Sequence, residues 1–135
     1  MSREEGVVPE PTRILVVDDD ADMRALLVDE LRQEGYEVTE ASDGAEAVLA
    51  CRGQTFDVIL MDKNMPGPSG LDLIPGFRRA SPASRILMMT AFGDVSSYVE
   101  AAERGASDYL FKPFRMDEMK LAIRRALGLE SAAPG

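Results

Sequence analysis

From Thr12 onward, short apolar runs bounded by turn residues alternate with longer segments in which apolar side chains recur every three or four positions. That alternation is the mark of repeated strand–helix units, and five can be counted. Arg13–Asp18 (RILVVD) is a continuous branched apolar run, as a parallel strand covered on both faces requires, and it ends in acid. Asp20 is placed to cap a helix whose inward face is read as Met23, Leu26, Leu27 and Leu31, with Gly35 ending it. Tyr36–Ala41 reads as a weaker, edge strand, followed by a helix with Ala45, Val48 and Leu49 inward and Gly53 at its end. Phe56–Met61 (FDVILM) is the third strand, closed by Asp62.

A loop rich in proline and glycine spans residues 63–70, and a third helix follows with Leu71, Ile74 and Phe77 on its apolar side. Pro75 inside it removes a donor and crowds the preceding turn, so a kinked or shortened helix is expected. Arg85–Thr90 is the fourth strand, and Asp94 caps a fourth helix with Val95, Val99 and Ala102 inward, closed by Gly105. Ser107–Phe111 is the fifth strand, Lys112 and Pro113 form a turn, and Met116, Met119, Ile123 and Leu127 make the buried stripe of a last helix ended by Gly128. Residues 1–11 read as a flexible leader, 12–128 as one domain and 129–135 as a tail or the start of a linker. Five such units with right-handed crossovers form an α/β, doubly wound parallel sheet, whose binding crevice lies beyond the carboxyl ends of the strands.

Composition narrows the chemistry. The 135 residues contain no histidine and one cysteine, which removes histidine-based acid–base catalysis, cysteine–histidine zinc sites and an internal disulfide, and points to a reducing, cytoplasmic setting. A formal charge of −9 argues against direct nucleic-acid binding and against anionic membranes. No apolar run has the length of a membrane span. What remains for chemistry is carboxylate, hydroxyl and lysine, and these gather at the strand ends: Asp18 and Asp19 after the first strand, Asp62 after the third, Thr90 ending the fourth, Lys112 just beyond the fifth. A strand-end aspartate alone is commonly a turn former or cap. Several brought to one rim repel one another unless a cation lies between them, and an oxygen-only donor set favours Mg²⁺ or Mn²⁺. With Lys112 and Thr90 opposite, the rim describes a phosphoryl pocket with one carboxylate as nucleophile.

The motifs LVVDDD (15–20), DVILMDKNMPG (57–67), ILMMTA (86–91) and GASDYLFKPF (105–114) resemble the receiver domain of two-component response regulators over about Arg13 to Leu127. The resemblance implies the CheY-like, flavodoxin-like (βα)5 fold with strand order 2-1-3-4-5. It implies Asp62 as phosphoacceptor from a histidine kinase or histidine phosphotransfer protein, with Asp18, Asp19, Asp62 and the backbone carbonyl of Asn64 around Mg²⁺. Thr90 matches the switch hydroxyl, Lys112 the phosphate-pairing lysine, Tyr109 the aromatic that follows the hydroxyl, and Ala91 the small residue beside the phosphate. Phe92 is expected at the pocket mouth, where its ring would shield the acyl phosphate.

On this reading the chain is a bacterial signalling module rather than an enzyme acting on an external substrate. Its output surface is the fourth predicted helix, the fifth strand and the last helix, serving a protein target, an attached output domain or a homodimer. Arg115, Lys120, Arg124 and Arg125 would make that side basic, and exposed residues of the first helix such as Arg24 and Glu30 would carry partner specificity. An aspartate-nucleophile phosphatase is disfavoured because Asn64 stands where such enzymes carry a second aspartate. A flavin-binding module is disfavoured because Asp18 and Asp19 replace a phosphate-binding loop. A degenerate receiver used only for protein contacts is the remaining alternative.

Overall fold

A computed structural model of the chain describes residues 11–65, 70–91, 103 and 108–129. Five strands, β1 (Arg13–Val17), β2 (Glu37–Ala41), β3 (Val58–Asp62), β4 (Arg85–Ala91) and β5 (Asp108–Lys112), form one sheet. Its order is β2-β1-β3-β4-β5, and every pairing is parallel. The described helices are α1 (Ala21–Gln33), α2 (Gly44–Gly53), α3 (Gly70–Ala80) and α4 (Met116–Ala126). The helix expected after Asp94, the leader up to Glu10, Phe92 and residues 130–135 lie outside the described residues. No helix among the described residues is long and apolar enough to cross a membrane.

Strand side chains alternate between two cores, as a twofold repeat demands. Leu15, Val17, Ile59, Met61, Ile86, Met88 and Tyr109 face one way, against Ala47, Cys51, Ile74 and Phe77 of α2 and α3. Ile14, Val16, Val58, Leu60, Leu87, Met89 and Leu110 face the other, against Leu27, Val28 and Leu31 of α1 and Met119, Ala122 and Ile123 of α4. β3 is buried at every position while β2 is mostly half-buried or exposed, so the expected edge placement of β2 holds.

The helix ends are set locally. Asp20 accepts from the amides of Asp22 and Met23, and Asp43 from that of Glu46, each satisfying donors left over at a helix start. Gly35 (φ 95°) and Gly128 (φ 78°) take the left-handed conformation just past α1 and α4, where a side chain would be strained.

Three expectations are corrected. Leu26 is 45% exposed and Val28 takes its place inward, because the buried stripe of α1 centres on Leu27 and Leu31. In α2, Leu49 is 63% exposed and Ala45 is also at the surface, whereas Ala47 and Cys51 are buried. The small residues face inward there because α3 comes close: a Cβ on Gly44 would stand 2.6 Å from the Leu73 side chain. Finally, of the kinked or shortened helix expected at Pro75, the shortening is not found: α3 runs through Pro75 from Gly70 to Ala80. Pro75 is exposed while Ile74 and Phe77 are fully buried, so burial of the apolar face offsets one missing backbone bond.

Candidate functional site

The register brings the candidate residues to one end of the sheet. Val17 pairs with Met61, so the next residues along, Asp18 and Asp62, sit side by side on adjacent strands. Asp62 pairs with Met89, which places Thr90 one residue further along β4, and Ala91 pairs with Lys112 on β5. Two strand spacings, about 9.6 Å, separate β3 from β5, and the long Lys112 side chain spans them to put its Nζ 3.3 Å from Asp62 Oδ2. The peptide bond between Lys112 and Pro113 is cis.

Carboxylate oxygens of Asp18, Asp19 and Asp62 lie within 4.8 Å of one another. Asp18 is fully buried, Asp62 nearly so, and Asp19 exposed. Asp18 Oδ1 accepts from the Asp20 amide at 2.9 Å, and Asp62 Oδ1 from the Asn64 amide at 3.1 Å. Asn64 is therefore tied to the site through its N–H. Asp18 Oδ2, although buried, has no hydrogen-bond partner among the described residues, and neither has the Thr90 hydroxyl.

Burial pushes the Asp18 carboxyl above the ordinary aspartate range, and the charges of Asp62 and Asp19 push the same way; the Asp20 amide and Lys112 pull against them. A buried oxygen left without a donor, in a set made only of oxygen ligands, fits a hard divalent cation. The donor set suits Mg²⁺ or Mn²⁺ and offers nothing to a softer metal.

Thr90 is fully buried and shares its sheet face with Tyr109, which pairs with Met88 on the neighbouring strand. The Tyr109 ring is buried and meets Phe111 edge-on at 5.5 Å between centroids. Asp18, Asp62 and Lys112 follow the opposite alternation, on the α1 and α4 side.

A family model for the response regulator receiver domain matches residues 14–124. The chain belongs to the response regulator receiver family. This receiver is 39% identical over 122 residues to the transcriptional regulatory protein TcrA of Mycobacterium tuberculosis, an alignment covering 90% of this chain and 48% of that protein. It is 32% identical to sporulation initiation phosphotransferase F of Bacillus subtilis, over 88% of this chain and 96% of that protein. Among solved structures, the chemotaxis protein CheY4 of Vibrio cholerae superposes with a TM-score of 0.83 at 32% identity, covering 87% of this chain and 100% of the other. The receiver spans about half the length of the first relatives it matches, 48% of TcrA and 53% of TcrX.

The structure thus brings together Asp18, Asp19, Asp62, Asn64 and Lys112; Thr90 lies at the same end of the sheet, on the face it shares with Tyr109. Ala91 ends β4, and its side chain, like Phe92, is outside what is described. Two expectations for the surface change. Arg24 and Glu30 are engaged within the fold, Arg24 with Glu40 and Glu30 with Lys120 at 2.8 Å, so neither stands free for a partner. Lys120 also approaches Glu34 at 3.7 Å, which binds α4 to α1 and takes that lysine out of a basic docking face.

The link from Arg24 to the acidic turn was missed in the sequence. Arg24 Nη1 donates to the Asp18 carbonyl at 2.7 Å and its Nε to Glu40 Oε1 at 2.9 Å. The available signal was an arginine one helical turn after the Asp20 cap, facing an acidic residue near the end of the second strand.

Proposed function

We propose that this receiver takes a phosphoryl group onto Asp62 from the phosphohistidine of a histidine kinase or phosphotransfer protein, and that the modification switches a protein-binding surface. The observation that carries the reading is the convergence of three carboxylates within 4.8 Å on a lysine 3.3 Å from the one that would react. In the transfer, a carboxylate oxygen of Asp62 attacks phosphorus as the phosphorus–nitrogen bond breaks. Its electron pair leaves on the imidazole nitrogen, which is reprotonated from solvent. Lys112 and the Thr90 hydroxyl supply donors to the equatorial oxygens.

Asp18, Asp19, Asp62 and the backbone carbonyl of Asn64 would hold Mg²⁺ or Mn²⁺, which when bound supplies the positive charge that offsets the carboxylates and the charge growing on the phosphoryl group. In the phosphorylated state the Thr90 hydroxyl gains the acceptor it lacks, and Tyr109 responds to the vacated space. This biases the surface of the fifth strand, the last helix and the segment between β4 and β5. Phe92 would shield the acyl phosphate from water, so Phe92→Ala is expected to speed dephosphorylation.

The names of the relatives support an attached transcriptional output domain or, as in the phosphotransferase, a receiver standing nearly alone. We read the module as cytoplasmic, turning over no external substrate, making no direct contact with nucleic acid, and acting on a protein target, an attached domain or a second copy of itself.

Intact mass after incubation with acetyl phosphate tests the mechanism. A gain of one phosphoryl group that requires both Mg²⁺ and Asp62, and is absent in Asp62→Asn, is expected. A folded wild type that gains nothing would leave a degenerate receiver working through protein contacts alone.

A further inference from the structure

Asp19 is the exposed member of the acidic trio, and no described residue hydrogen-bonds to its carboxylate. The direction in which its Cα–Cβ bond leaves the chain, and with it the reach of the carboxylate, is set by the two peptide planes on either side of its Cα. Both planes are held. The plane between Asp19 and Asp20 is fixed by the Asp20 amide, which donates to Asp18 Oδ1 at 2.9 Å. The plane between Asp18 and Asp19 is fixed by Arg24, whose Nη1 donates to the Asp18 carbonyl at 2.7 Å.

Arg24 is itself anchored twice. Its amide donates to the Asp20 carbonyl at 2.9 Å in the first turn of α1, and its Nε donates to Glu40 Oε1 at 2.9 Å on β2. The Arg24 side chain is 19% exposed, and its guanidinium links the end of β1 to the end of β2 from its base on α1. A planar fork whose separate nitrogens serve two acceptors holds them in a fixed relation to each other, which the single rotatable ammonium of lysine does not.

We infer that Arg24 is a positioning residue for the metal site: held by Glu40, it fixes the Asp18–Asp19 peptide plane and so aims the Asp19 carboxylate at the cation. The inference rests on the reading of the trio as a Mg²⁺ site. It adds a cation and a β2 carboxylate that act on the metal only through the backbone.

The sign of the effect separates this role from simple electrostatics. Removing a positive charge that contacts the turn carrying the carboxylates makes the site no less negative and, by charge alone, cannot weaken Mg²⁺ binding. Loss of positioning weakens it, by about tenfold for a typical supporting contact.

The experiment is a Mg²⁺ titration by calorimetry of the wild type, Arg24→Gln, Arg24→Lys, Glu40→Gln and Asp19→Asn. It is paired with amide ¹H–¹⁵N spectra and hydrogen exchange of the metal-free proteins. We expect about tenfold weaker Mg²⁺ binding in Arg24→Gln, a smaller loss of the same sign in Glu40→Gln, and no rescue by Arg24→Lys. In the Asp19→Asn background, Arg24→Gln should have no further effect, since its action runs through Asp19. The amide signals of Asp19 and Asp20 should shift and exchange faster in Arg24→Gln without metal.

Unchanged or tighter Mg²⁺ binding in Arg24→Gln overturns the inference, as does full rescue by lysine or an undiminished loss in the Asp19→Asn background. If Arg24→Gln folds poorly, Glu40→Gln carries the same test from the other end of the clamp. A wild type that binds no Mg²⁺ overturns the metal reading, and unmoved Asp19 and Asp20 amides in metal-free Arg24→Gln overturn the clamp by themselves.

Discussion

The two ends of the sheet bury polar groups to the same depth and treat them oppositely. At the amino-terminal edge, Ser81 and Ser84 are buried, their hydroxyls are 2.5 Å apart, and Ser84 Oγ donates to the Phe56 carbonyl at 2.5 Å. Arg78 reaches over from α3 to the carbonyls of Pro82 and Ser84; its Nε is left over, on a guanidinium already bonded through both terminal nitrogens. At the carboxyl-terminal edge, Asp18 and Thr90 are fully buried, yet Asp18 Oδ2 and the Thr90 hydroxyl have no partner among the described residues. Buried polar atoms are almost always bonded, so an edge that leaves an oxygen and a hydroxyl idle holds them for something that arrives. One edge ties strands to helices; the other is the one that, on the function proposed above, takes a cation and a phosphoryl group.

The comparison can be broken from either side. The largest effect is expected from Lys112→Ala, which removes the donor beside Asp62 and should slow phosphoryl uptake by about 100-fold. Thermal unfolding should barely move, because a lysine one-third exposed contributes little through its ion pair. Ser84→Ala should do the reverse, costing about 2 kcal/mol in urea denaturation by leaving the Phe56 carbonyl without its donor. Phosphoryl uptake per folded molecule should be unchanged.

Asp18→Asn should stabilise the metal-free protein by about 1 kcal/mol at neutral pH, a gain of the kind found when a site's functional charge is removed. The sign follows from the raised Asp18 pKa. The native state holds the proton more tightly than the unfolded chain does, so wild-type stability is lost as pH rises through the window above 3.8. Denaturation in EDTA should therefore show the advantage of Asn over Asp at this position growing with pH, and Mg²⁺ should abolish it. The smallest effect is expected from Thr90→Val, within about 0.5 kcal/mol of wild type, since no hydrogen bond is lost. Its phosphorylated form should nonetheless lose the change in Tyr109 fluorescence.

Legibility differed by element for physical reasons. β1, β3 and β4 are covered on both faces, so each appears in the sequence as an unbroken apolar run, and their bounds match to within a residue or two. α4 was readable because large side chains mark its stripe: Met119 and Ile123 are buried, and Met116 and Leu127 pack on the same cluster. In α2 hydropathy favours Leu49, whereas the buried members are Ala47 and Cys51 and the close approach to Leu73 of α3 is at Gly44. Small residues announce close approach only once the neighbouring helix is in place.

The pocket residues were legible because a doubly wound sheet sends every strand end to one rim, so Asp18, Asp62, Thr90 and Lys112 could be grouped without coordinates. Arg24 and Glu30 look like exposed charges in the sequence, which shows charge but not the partner across a helix or strand.

The sequence by itself determined the alternation of strand and helix, the acidic character of the strand ends, the cap at Asp20 and the turns at Gly35 and Gly128. All of these depend on contacts within a few residues or on burial common to any α/β sheet. Only the tertiary structure decided that Asp18 Oδ2 and the Thr90 hydroxyl are left without partners among the described residues, that Lys120 serves α1 rather than a partner, and that Arg24 and Glu40 grip the acidic turn. These rest on groups far apart in the chain, whose distances are fixed by strand register and helix packing and by nothing local.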